Sequence, residues 1–238
     1  MATVKLHHSE KTKYGAYIKS IIYGGLDGII TTFAIVAGVT GASLSYNIIL
    51  ILGFANLIAD GISMAAADYL STKAKAEYQG VRRSQEMIEI KNHPKLERKE
   101  LIKFYMKEGL SNKDSVSIVS ILSKKKKALA DAILIEELEL VELKESPIKN
   151  GLVTLGSFMT FGFIPLITYL IARTNNFIDQ NTFLFASILT GITMFLLGAA
   201  KVKITPKHWV ASGLEILLIG GIAAVCAYGI GFFVASII

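Results

Sequence analysis

Five long apolar runs, at residues 17–41, 46–70, 148–172, 181–200 and 208–237, constrain this chain more than anything else in it. Each can supply the about 20 residues that a helix needs to cross the hydrocarbon of a bilayer. Small residues recur along all five (Gly24, Gly25, Gly53, Gly61, Gly156, Gly191, Gly220, Gly221), and small residues let helix backbones approach closely in lipid. Pro165 sits inside the third run and predicts a bend, with a carbonyl freed one turn earlier.

Charge is concentrated between the second and third runs. Residues 71–146 hold 16 of the 25 Lys and Arg and 13 of the 19 Asp and Glu. The expected plan is an all-α membrane protein in three parts: a tail with two spans (1–70), a soluble helical insert (71–146) and three further spans (147–238). The net charge of +6 fits basic loops beside a membrane. Interleaved signs leave no single basic face, which argues against a nucleic-acid partner. The one cysteine, Cys226, permits neither a disulfide within the chain nor a thiolate metal cluster. The stretch Met1 to Lys13 is polar and the first apolar run is too long for a signal core, so no cleavable signal is expected.

Orientation follows from Lys and Arg. Lys5, Lys11, Lys13 and Lys19, the insert, and Lys201, Lys203 and Lys207 fall on one side if there are five spans. The other side carries only Arg173. The positive-inside rule places the basic side, and the insert with it, in the cytosol.

Asp27 lies in the middle of the first run, where an ionised side chain costs at least about 2.5–3.5 kcal/mol. Such an acid is a functional candidate whose natural partner is a cation or a proton. Gly24, Gly25 and Gly28 flank it, and Thr31 and Thr32 follow. In the second run Asn56, Asp60, Met64 and Asp68 recur every fourth residue and share one helix face, with Ser63 beside them. Carboxylate and amide oxygens suit hard divalent ions, and a thioether suits softer ones. Together they favour iron(II), manganese(II) or cobalt(II) over magnesium or calcium. Blander readings stand beside these: Met64 as packing, Asn56 as interhelical glue, and Asp68 as a solvated interfacial acid. Glu215, near the start of the last run, is expected to be hydrated or to line an entrance.

The insert reads as helical throughout. Its first helix continues from the second span and stops near His93-Pro94. A second runs from about Pro94 to Lys107 and ends at Gly109. A third starts near Lys113 after Ser111-Asn112. The last covers about Lys125 to Glu145. Acids are spaced by three: Glu86 with Glu89, Glu97 with Glu100, and Glu136, Glu137, Glu139 and Glu142 on the last helix. Facing helices with such pairs can build an oxygen-rich metal site. A charged surface with ordinary ion pairs to the many lysines is the competing reading, and His93 reads as a solvated loop residue.

The stretch Asp27-Gly-Ile-Ile-Thr-Thr-Phe-Ala-Ile-Val-Ala-Gly, followed by Ala59-Asp-Gly-Ile-Ser-Met64-Ala-Ala-Ala-Asp-Tyr-Leu-Ser-Thr-Lys, resembles the vacuolar iron transporter family. The likeness continues through the acidic insert into the last three spans. It implies five spans per subunit and a homodimer whose ion path lies between first and second spans. It also implies export of iron(II), and often manganese or other divalent ions, from the cytosol in exchange for protons. The family's first-span aspartate matches Asp27 and its second-span methionine matches Met64. Its metal-binding glutamates match Glu86, Glu89, Glu97 and Glu100. On the last helix Glu137 is the nearest match, with Glu136 and Glu139 open. Some members have a glutamate at Asn56, whereas here the acid comes one turn later, as Asp60, in an Asn-Leu-Ile-Ala-Asp-Gly pattern.

The expected mechanism is competition. Glutamates of the insert gather metal at the pore mouth. Asp27, Asn56, Asp60 and Met64 then carry it through the membrane, where metal and protons contend for the same oxygens. This needs no covalent chemistry and no organic cofactor, so no enzyme is expected. A membrane-anchored metal sensor or buffer and a passive cation channel are the rival readings. A vacuole-type organelle membrane and a prokaryotic plasma membrane both suit the chain.

Overall fold

A computed structural model of the chain describes residues 8–137, 146–172, 176–203 and 208–238. Helix α1 is His8–Gly41, α2 Tyr46–Asn92, α3 Pro94–Lys107, α4 Asn112–Leu122 and α5 Lys126–Ala132. Helix α6 is Pro147–Ala172, α7 Asn176–Asp179, α8 Thr182–Ala200 and α9 Trp209–Ile237. No strand occurs among the described residues. The chain divides into two compact units, residues 1–70 with 145–238, and residues 71–144.

The first unit contains five helices long and apolar enough to cross a membrane: Tyr17–Gly41 of α1, then α2, α6, α8 and α9. Helix α1 packs against α6, α8 and α9. Its contact with α6 is made backbone to backbone. A Cβ on Gly24 would lie 2.6 Å from the Thr154 carbonyl oxygen, one on Gly28 would collide with the Phe158 carbonyl, and one on Gly162 would lie 2.8 Å from the Gly28 carbonyl. Only glycine admits this approach, and in lipid such close packing replaces the hydrophobic drive that water would supply. Helix α2 lies against α6 in turn, with Gly53 facing Leu166 and the Ala65 carbonyl facing Gly151. Ile29, Phe33, Val36, Leu166, Met194 and Ile216 fill the core between the helices. Helix α9 leaves Leu218, Ile222, Val225, Phe232 and Phe233 exposed, as suits a span whose outer faces meet lipid. Pro165 is buried within α6.

The second unit is built from the later part of α2 with α3, α4 and α5. Ile90, Leu101, Val119, Leu129 and Ile133 form its core. Its helix boundaries follow local chemistry. Pro94 opens α3, where its missing N–H costs nothing. Gly109 takes a φ of 99°, which an L side chain rarely adopts, and ends that segment. The Ser111 hydroxyl accepts from the Asp114 N–H at 3.2 Å and caps α4. An Arg83–Asp131 ion pair ties α2 to α5.

Two boundaries differ from the sequence reading. Helix α1 is already formed at His8, inside the polar tail. The last insert helix ends at Ala132 and passes into a π-helical turn, Ile133–Glu137. No Gly or Pro lies between Lys125 and Glu145, so nothing in the residue pattern marks this change of pitch.

Candidate functional site

Within the membrane unit, α1 presents Asp27, half-buried, between the close-packed Gly24 and Gly28. The Thr31 hydroxyl donates to the Asp27 main-chain carbonyl at 2.7 Å, which leaves the carboxylate to other partners. That carboxylate lies within Coulombic reach of Asp60 on α2. Asp60 and Asn56 are both half-buried. The Asn56 side-chain nitrogen is buried and donates to no acceptor among the described residues, as is the Thr32 hydroxyl on α1. A buried polar atom left without a partner costs about 1–3 kcal/mol. Met64 is buried against Leu57 and Phe158, where its thioether packs on apolar surface.

Asp68 accepts hydrogen bonds at Oδ2 from Ser20 on α1 and Thr154 on α6. From the sequence Asp68 reads either as a member of the stripe or as a solvated interfacial acid. Its donors are hydroxyls distant in the chain, and nothing local signals them. A recess of about 530 Å³ opens where α1 turns into α2, lined by Thr40, Ser43, Ser45 and Asp179 among others. Asp179 was not singled out from the sequence.

In the second unit, carboxylate oxygens of Glu86, Glu89 and Glu97 all lie within 4.8 Å of one another. Glu86 and Glu89 stand three apart on α2, hence on one face, and Glu97 meets them from α3 across the His93-Pro94 turn. Glu86 and Glu97 are 6% and 4% exposed, whereas Glu89 is exposed. Three converging carboxylates repel one another, and a divalent cation held by oxygen ligands reverses the sign of that interaction. The donors are all hard oxygens, so the set fits a hard or borderline divalent ion. Glu100, half-buried on α3, is not among the three. Glu136 and Glu137 have their backbone in the π-helical turn, and their side chains lie outside the described residues, as does Glu139 altogether.

Five helices long and apolar enough to cross a membrane, half-buried acids along two of them and a glutamate cluster in a helical unit are the features of a polytopic membrane protein. Residues 18–232 match the sequence model of the VIT family, and the chain belongs to that family. It is 37% identical over 221 residues to a vacuolar iron transporter of Toxoplasma gondii, covering 90% of this chain and 73% of that one. A vacuolar iron transporter of Plasmodium falciparum is 36% identical, with 90% and 81% covered. Vacuolar iron transporter 1 of Arabidopsis thaliana is 28% identical, with 93% and 88% covered.

Proposed function

We propose that this protein moves iron(II), and with it manganese(II) or related divalent metals, out of the cytosol in exchange for protons. Two half-buried acids, Asp27 and Asp60, on touching spans of a VIT-family chain and within Coulombic reach of each other, carry the proposal. The names of the relatives supply the metal. Burial of a carboxyl favours its neutral, protonated form, and a bound divalent cation favours the ionised one. A pair of shielded acids therefore holds either metal or protons, and loading one expels the other. Asn56 and Met64 extend the path along α2.

In this reading the cluster of Glu86, Glu89 and Glu97, together with Glu100, Glu136, Glu137 and Glu139, gathers metal on the cytosolic side and raises its local concentration. The working unit is a homodimer in a vacuole-type organelle membrane or a prokaryotic plasma membrane. Exchange of this kind makes and breaks only coordination and hydrogen bonds, so it requires neither enzymatic chemistry nor an organic cofactor.

Reconstitution in liposomes with an enclosed pH-sensitive dye tests the proposal. Iron(II) uptake should shift the dye only when protein is present, and an imposed proton gradient should drive iron against its own gradient. Uptake indifferent to the proton gradient would identify a channel. Metal binding without uptake would identify a sensor or buffer.

A further inference from the structure

Asp68 closes the polar stripe of α2 at a junction of three helices. Its Oδ2 accepts from Ser20 Oγ on α1 at 2.9 Å and from Thr154 Oγ1 on α6 at 2.5 Å. Both donors are buried, at 4% and 0% exposure. Beside them, Ser157 Oγ on α6 donates to the Ile21 carbonyl on α1 at 2.5 Å, and Gly24 brings α1 onto the Thr154 backbone. A carboxylate oxygen that already accepts two hydroxyls has its lone pairs engaged, and hydrogen bonds to an ionised acceptor are the stronger kind.

The spacing on the two helices gives this junction a consequence. Ser20 and Asp27 stand seven apart on α1, two turns on one face. Asp68 and Asp60 stand eight apart on α2, roughly 2.2 turns, within the same broad face. At 1.5 Å per residue these are rises of roughly 10.5 and 12 Å. Two antiparallel helices pinned at Ser20–Asp68 therefore bring Asp27 and Asp60 to nearly the same height, where Asp27 is within Coulombic reach of Asp60.

We propose that Asp68 is a positioning residue for transport: a latch, closed by Ser20 and Thr154, that holds the Asp60–Met64 face of α2 in register with Asp27 and is not itself a stop on the ion's route. The proposal rests on the exchange function above and adds to it the device that aligns the path.

The test compares Asp68→Ala, Asp68→Asn and the pair Ser20→Ala with Thr154→Val, each in the full-length protein. The pair keeps the charge and removes both donors, and the asparagine removes the charge and keeps an acceptor oxygen. A latch predicts that maximal iron(II) uptake falls in Asp68→Ala and in the pair with little change in KM, while Asp68→Asn stays nearer the wild type. The fall should be roughly eightfold, the ratio set by two interhelical hydrogen bonds of about 0.6 kcal/mol each. Amide hydrogen exchange over residues 60–70 should quicken in the same two variants and not in Asp68→Asn. Loss of uptake in Asp68→Asn alone, with the pair behaving as wild type, would make Asp68 a charged relay and overturn the latch. Exchange rates that follow the predicted order in a protein that moves no iron would keep the latch and discard the transport function.

Discussion

Replacing Glu97 by glutamine should have opposite effects on the empty and the metal-loaded insert. Without metal, Glu86 and Glu97 hold carboxylate oxygens within 4.8 Å in a nearly dry setting, with Glu89 at the exposed edge. Two unit charges at that distance repel by about 3.5 kcal/mol at an effective dielectric constant near 20 and about 0.9 kcal/mol in bulk water. The buried pair sits toward the first figure and the pairs with Glu89 toward the second. Glutamine at 97 removes one charge and keeps the shape, so it relieves about 1–3 kcal/mol of the apo protein's strain. With metal, the same change removes a charged ligand. Loss of an outer-shell partner alone lowers metal affinity by about 10–100-fold, and a direct ligand should cost at least the lower figure. Calorimetry with manganese(II) on the full-length protein reads the affinity, and amide exchange across residues 84–104 reads local stability. Slower exchange without metal together with weaker binding is expected. Unchanged binding with unchanged exchange would show that the three glutamates are an ordinary acidic surface.

Three further outcomes follow from the packing and the caps. Gly28→Ala drives a methyl into the Phe158 carbonyl, a backbone atom that cannot swing aside, and should lower thermal stability in detergent by about 1–3 kcal/mol. Gly156→Ala, where a Cβ meets nothing within 4 Å, is the matched control and should hold stability or raise it by up to about 1 kcal/mol. Ser111→Ala removes the α4 cap, and exchange of the first-turn amides of α4 should quicken by an amount worth about 1 kcal/mol.

Much of this architecture was written locally. The apolar runs mark the five candidate spans because hydrocarbon tolerates few other patterns of that length. In the insert, Pro94, Gly109 and Ser111 punctuate the helices through a missing N–H, a left-handed φ and a capping hydroxyl. Asp27 stands out from its energetic cost alone. What stayed hidden depends on distant partners. Thr154 lies 86 residues from Asp68 and Ser20 lies 48 away, and a hydroxyl in an apolar run looks the same whether or not it meets an acid. Glu97 and Glu100 have the same spacing as Glu86 and Glu89, yet only Glu97 joins the cluster. Spacing fixes a helix face, and the turn at His93-Pro94 decides which residue of that face comes nearest. The π-helical turn at Ile133–Glu137 follows an unbroken helix-forming stretch and leaves no mark in polarity.

In the proposed exchange Asp27 carries more than any other residue, and Asp27→Asn is its most direct test. The substitution keeps size and polarity while removing the charge for which metal and protons compete. In proteoliposomes with an internal pH dye, the variant should bind metal at the insert with wild-type affinity and yet show neither iron(II) uptake nor counterflow of protons. Iron-coupled proton movement at the wild-type rate in Asp27→Asn would contradict exchange at the intramembrane acids.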